Sequence, residues 1–170
     1  MNIKAFFTMP LAFIMMLVSL AMPPKTEGIA VVYVRHYNGF AMMSNEHKID
    51  LARKNLWEHS YRGLPGSLQR PRNDKALFEG FRFAGRLTDE KIAAFRTAAA
   101  AYSFGAWEGN YAYDPGENGP PTPPTDGSTW SVVIVFADGT RKSSGGYFGF
   151  PEHWAEMAQA FAALTGRSVL

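Results

Sequence analysis

The stretch from Trp130 to Trp154, "WSVVIVFADGTRKSSGGYFGFPEHW", does most to limit what this chain can fold into. Trp130, Val132, Ile134 and Phe136 alternate with smaller or less apolar neighbours, the period of a strand with one buried face. Asp138-Gly139 follows, a dipeptide suited to a two-residue hairpin turn. Such a turn sets Phe136 beside Arg141 and Val135 beside Lys142. The return segment "TRKSS" is polar on both faces, as befits an edge strand, and Gly145-Gly146 is read as its end. Pro151 suits a first helical position. Trp154, Met157, Phe161 and Leu164 then form a helical stripe, closed by Gly166.

The upstream half repeats the plan. "IAVVYVRHY" is β-branched and aromatic, and Asn38-Gly39 leads into "FAMMS". A two-residue turn there pairs Tyr37 with Phe40 and Arg35 with Met42. "ALFEGFRFAGRL" alternates, with Leu77, Phe81, Phe83 and Leu87 on one side and Arg82 and Arg86 on the other; Gly80 and Gly85 mark bends or bulges. In "LTDEKIAAFRTAAAAYSFG", Thr88 is an N-cap and Asp89 and Glu90 suit the helix dipole. Ile92, Phe95, Ala99 and Tyr102 make the stripe, and Gly105 is the expected stop. Residues 45–75 fit no single period and are assigned no element. The expected fold is one α+β domain over residues 29–170. An antiparallel sheet of about five strands carries two helices on one face, laid out as two hairpin–helix units. A Pro-rich loop occupies residues 110–129.

Residues 1–21 have the order of a secretory signal. Lys4 precedes an uncharged apolar run, and Ser19-Leu20-Ala21 offers small residues for cleavage. Cleavage after Ala21 leaves a linker, 22–28, ahead of the domain and no stable membrane span. The expected location is periplasmic or secreted; the alternative is an uncleaved N-terminal anchor, since the run is long enough to span a bilayer. The chain has no cysteine, which excludes disulfides, thiolate metal sites, a catalytic thiol and a lipidated cysteine. Stability must therefore come from the core.

Few catalytic patterns are present. The lysine precedes the glycines at 145–146, so the phosphate-loop order is absent. No GxSxG occurs. Glu46-His47, Glu58-His59 and Glu152-His153 put acid beside imidazole three times, but neighbours on a strand point to opposite faces. Met43 and His47 form the basis of a metal-binding alternative. No cofactor and no catalytic residue is assigned. The segment from Met22 to Arg96 holds 13 Lys/Arg against 8 Asp/Glu, and Thr97 to Leu170 holds 3 against 7. The basic part suits an anionic cell-wall polymer or an acidic protein. Nucleic acid is not an expected partner.

Binding is the better-motivated role. Pro120, Pro121, Pro123 and Pro124 form a run that favours polyproline II, a shape partners read. Tyr147, Phe148 and Phe150 offer ring faces for stacking, and Arg141 a charge. These eight residues are the candidate binding set. The sequence thus points to a non-catalytic, inhibitor- or immunity-like protein of the cell envelope. The alternatives are a hydrolase of cell-wall material, with Glu108 or Glu152 beside a histidine, and a periplasmic metal-binding protein.

Residues 87–166 combine a helix, Trp107, a polar loop, "WSVVIVFADGT", a glycine-rich step and "FPEHWAEMAQAF". That order resembles small exported bacterial α+β proteins of unknown function. The resemblance implies export and an α+β fold and transfers no catalytic residue.

Overall fold

The computed structural model describes residues 28–62, 80–116, 122 and 127–170. Within them one six-stranded antiparallel sheet carries two helices, a single α+β domain. The expectation of about five strands falls short by one. The strands are β1 (Ile29–Asn38), β2 (Met43–Asp50), β3 (Asn55–Arg62), β4 (Arg82–Arg86), β5 (Thr129–Phe136) and β6 (Arg141–Tyr147). Their order across the sheet is β4-β3-β2-β1-β5-β6. Helix α1 (Asp89–Ala101) follows β4, and α2 (Trp154–Thr165) follows β6. The upstream half is thus a four-stranded meander before its helix, not a second hairpin–helix unit. The unassigned stretch 45–75 supplies most of β2, which begins within the expected "FAMMS" strand, and the whole of the additional strand β3.

Periodicity places the core. Val32 and Val34 of β1 lie opposite Ile134 and Val132 of β5, and Ile49 of β2 lies opposite Leu56 of β3. All six are buried, as are Ile92, Phe95 and Ala99 of α1 and Met157, Phe161 and Leu164 of α2. One sheet face and two helical stripes therefore close on each other, each stripe a helix-period match to the strand-period face. Phe95 and Phe161 join the helices at 4.9 Å between ring centroids.

Both turns are longer than the dipeptides suggest. At Asn38-Gly39 the strands pair Asn38 with Met43 and Tyr37 with Ser44. The Asn38 carboxamide oxygen accepts the Ala41 N–H at 3.0 Å, and Met42 takes the left-handed conformation. This side-chain bond supports a four-residue loop in place of the tight turn. Phe40 and Met42 consequently stand out in solvent. At Asp138-Gly139 Val135 pairs with Arg141 and Ile134 with Lys142. Gly139 is left-handed, Phe136 N–H bonds Thr140 C=O at 2.9 Å, and Asp138 Oδ1 accepts from Thr140 N–H at 2.9 Å. That is a turn followed by a glycine bulge, which shifts the expected register by one.

Other boundaries move for local reasons. β6 runs through Gly145-Gly146 to Tyr147. A Cβ on Gly146 would lie 2.3 Å from the Gly149 carbonyl oxygen, and one on Gly149 would lie 2.2 Å from that of Ala112. These glycines serve close backbone packing. Helix α1 has its Thr88 cap, with Oγ1 accepting the Lys91 N–H, but it ends at Tyr102. Ser103, not Gly105, takes the left-handed turn, and Gly105 sits in the short 3-10 turn Phe104–Ala106. Helix α2 starts after His153 rather than at Pro151, and Gly166 closes it in the left-handed conformation. In β4, Trp57 pairs with Phe83 but Leu56 with Gly85, so a bulge intervenes. Phe83 and Leu87 therefore do not share a side: Phe83 is exposed and Leu87 buried. Leu77 lies outside the described residues.

Candidate functional site

At the end of α1 the left-handed Ser103 turns the chain, and Phe104 plugs the core beneath it, fully buried. Trp107 follows, 4.8 Å from Phe104 edge to face. Across from it, Pro151-Glu152-His153 lead into α2, with His153 also left-handed. Between these segments lies a cleft of about 370 Å³, walled by Tyr102, Trp107 and Tyr111 and carrying Glu108, Glu152 and His153. Two non-glycine residues in a costly conformation, one on each wall, are held there by the packed core below.

The cleft combines ring faces with solvated charge. Tyr102 lies against the His153 imidazole at 5.2 Å. The Tyr111 hydroxyl accepts the Glu108 N–H at 2.8 Å, which fixes that wall. His153 Nε2 lies 3.7 Å from Glu152 Oε1, and its Nδ1 lies 3.6 Å from Glu156 Oε1. The Glu152 side chain is 89% exposed.

Behind the cleft three tryptophans share one cluster. Trp130 and Trp154 rings are 4.6 Å apart, and Trp107 is 5.8 Å from each. The Trp130 indole donates to the Gly149 carbonyl at 2.8 Å. The buried Trp107 indole N–H has no hydrogen-bond partner. It is surrounded by rings, whose π faces are weak acceptors. From this cluster Phe150 emerges, 46% exposed and 5.0 Å from Trp154.

Of the four described residues of the expected binding set, Tyr147, Phe148 and Phe150 lie together after β6 and Arg141 stands apart. Phe150 is the solvent-facing member beside the cleft. Tyr147 ends β6 with its ring 5.0 Å from Phe148. Phe148 is half-buried and left-handed, and its ring lies where a Cβ on Gly127 would have to go. That ring is packing, joined by Tyr113 at 6.1 Å. Arg141 stands at the other end of β6, six residues or about 20 Å from Tyr147. Pro120, Pro121, Pro123 and Pro124 lie outside the described residues, as do residues 1–27 with the expected signal. Among the described residues no helix is long and apolar enough to cross a membrane.

The Glu-His repeats find an unexpected order. Glu46 lies opposite His59 and His47 opposite Glu58, because the β2–β3 turn is centred midway between the two dipeptides. Each face of the hairpin thus carries one carboxylate–imidazole pair. On one face the Arg35 Nε–H donates to Glu46 Oε1, with Tyr61 O–H at 3.4 Å from the same oxygen and His59 Nδ1 at 3.4 Å from Oε2. Burial is the main reason the Tyr61 hydroxyl holds its proton more tightly than usual. On the helix-covered face His47 is buried, its Nδ1 has no partner, and burial pushes it down to about 4. Glu58 there is ion-paired with Arg167, which ties the C-terminal segment to the sheet. The signal was in the sequence: two Glu-His steps placed symmetrically about "LARK". Met43 and His47 gain no further ligand; among the described residues no group of three or more His, Asp or Glu converges on a metal position.

The fold and the cleft define a small α+β domain with an aromatic, acidic recess at one end of its sheet. No family model, curated protein or solved structure matches the chain.

Proposed function

We propose that this chain is a non-catalytic binding protein of the cell envelope that holds a partner protein at the aromatic end of its sheet. The observation that carries this reading is Phe150. It is large, apolar and solvent-facing, yet backed by Trp154 and the buried tryptophan cluster. An aromatic anchor on a rigid base, beside an open recess, is the arrangement of an interface hot spot. We read the recess as a recognition site rather than a hydrolytic one because Glu108 and Glu152 are exposed rather than held in a dry site. Export, with loss of residues 1–21, belongs to the same proposal and is read from the N-terminal pattern.

The test is capture from envelope extract with tagged mature protein, followed by reconstitution with the purified partner. Phe150→Ala should weaken the reconstituted complex by about tenfold or more. Phe83→Ala, at the opposite end of the sheet, should leave it unchanged. Equal affinity for wild type and Phe150→Ala, or loss with Phe83→Ala instead, would place the interface elsewhere.

A further inference from the structure

We propose that the open edge of β4 takes up an extended, acidic segment of a partner protein as a further strand of the sheet. The surface lies at the opposite end of the sheet from Phe150 and does not depend on the interface proposed there.

The backbone is the first reason. The two outer strands differ in what covers them. β6 is occupied along part of its length: Tyr111 bridges to Gly146, its N–H bonds the Gly145 carbonyl at 2.9 Å, and Ser144 Oγ donates to the Trp107 carbonyl at 3.3 Å. β4 is the last strand on the other side, and among the described residues no backbone hydrogen bond reaches its outer edge. The N–H and C=O groups on that edge are a template for one more strand. An extended chain completes such a ladder, and side chains then decide which chain is accepted.

The side chains of β4 specify that chain. Phe83 is 56% exposed and held edge-on by Trp57 at 5.9 Å, an apolar contact on a fixed support. Arg82 and Arg86 flank it, both exposed, and neither meets a carboxylate among the described residues. Acids of the neighbouring elements are already engaged. Glu58 lies opposite Arg82 in the ladder but is ion-paired with Arg167. Asp89, at the start of α1, is paired with Lys54 Nζ at 2.8 Å. Two cations on one short strand are therefore left for an outside charge to complete. The surrounding sequence has the same sign: Met22 to Arg96 holds 13 Lys/Arg against 8 Asp/Glu.

Other occupants fit less well. A second copy would bring two more arginines to the same edge, and like charges set opposite one another destabilise a strand pair. An anionic polysaccharide would meet the arginines but has no backbone to continue the ladder.

The experiment titrates mature protein with capped peptides and follows indole signals and β4 amide exchange by NMR. The acidic probe is Thr-Glu-Val-Glu-Val-Glu-Thr, and the basic probe has lysine in place of each glutamate. Two further acidic probes carry N-methyl groups on alternate amides, one in each phase. The acidic peptide should bind saturably, with a dissociation constant on the order of 1 mM. It should shift the Trp57 indole and slow exchange across Arg82–Arg86. Trp107, Trp130 and Trp154 should not move, and the lysine peptide should not bind. One methylated phase should lose binding, because it blocks the amides that face β4, and the other should keep it. Arg82→Gln/Arg86→Gln should weaken the acidic peptide roughly three- to tenfold while keeping wild-type indole dispersion. Arg82→Lys/Arg86→Lys should restore most of the affinity, and Phe150→Ala should leave it unchanged. No binding of the acidic peptide, equal binding of the lysine peptide, or equal binding of both methylated phases would overturn the proposal. So would polygalacturonate shifting Trp57 as strongly as the peptide, which would make the edge a general anion patch.

Discussion

The two ends of the sheet are built on different principles. At the β6 end, backbones close tightly: Tyr111 bridges to Gly146, its N–H bonds Gly145 C=O at 2.9 Å, and the tryptophan cluster lies underneath. At the β4 end the edge strand is five residues long, bulged, and carries exposed Arg82, Phe83 and Arg86. Both are ways to blunt an edge against unwanted pairing, one by covering it and one by shortening and charging it. Between them the β2–β3 hairpin holds buried polar atoms with no hydrogen-bond partner: His47 Nδ1 and Asn55 Oδ1, and Asp50 Oδ2 and His59 Nδ1, which face only an ion-pair partner, Arg53 at 3.6 Å and Glu46 at 3.4 Å. Each such atom costs free energy that a ring contact does not. The aromatic end holds one such atom, the Trp107 indole nitrogen, so it is expected to be the stiffer part of the domain and the β2–β4 region the part that yields first.

Mutations at the two ends should show that difference. The largest effect belongs to Phe104→Ala. The ring is fully buried between Phe95, Trp107 and Phe161, so its loss should cost about 3–5 kcal/mol in denaturant unfolding. A loss under about 1 kcal/mol would mean the aromatic end is not the anchor of the fold.

Acid should act in the β2–β3 hairpin. His47 is neutral when folded down to about pH 4, whereas the unfolded imidazole takes a proton near 6.5. The unfolded chain then binds more protons across that window, so stability falls as pH drops from about 6.5 to 4 and levels off below. The size is on the order of 3 kcal/mol. His47→Gln should flatten that part of the profile, and amides of β2 and β3 should lose exchange protection before those of β5. An unchanged slope in the variant would assign the acid sensitivity to another group.

Gly149→Ala should cost about 1–3 kcal/mol. Its Cβ would meet the backbone oxygens of Tyr111 and Ala112, which cannot swing aside as a side chain can. Phe83→Ala, 56% exposed at the β4 edge, should cost under about 1 kcal/mol, most of it the edge contact with Trp57 at 5.9 Å. If these two came out in reverse order, the packed and open ends would have been exchanged.

Much of the fold was legible because it rests on period. The stripes of Ile92, Phe95 and Ala99, and of Met157, Phe161 and Leu164, and the face of Trp130, Val132, Ile134 and Phe136 could be read directly. Registers were less legible, because side chains set them: Asn38 capping Ala41 and Asp138 capping Thr140 lengthened both turns. The β2–β3 pairing stayed hidden because β2 breaks alternation by burying the polar Ser44, Glu46 and His47, while β3 buries Leu56 alone. The recess was legible only in parts. Glu108, Glu152 and His153 could be named, but Glu108 lies over 40 positions before the other two, and only the return of β6 to α2 brings them to one opening. Tyr102 and Ser103 gave no sign, since both fall within the helix expected to run to Gly105.

The four tryptophans offer the most direct test of where the molecule acts. Trp57 stands on β3, while Trp107, Trp130 and Trp154 belong to the aromatic end. Indole N–H signals should be followed by NMR as the purified partner is added. The account predicts that Trp154 and Trp107 shift on complex formation and that Trp57 does not. A shift confined to Trp57 would contradict it and move the interface to the β4 end.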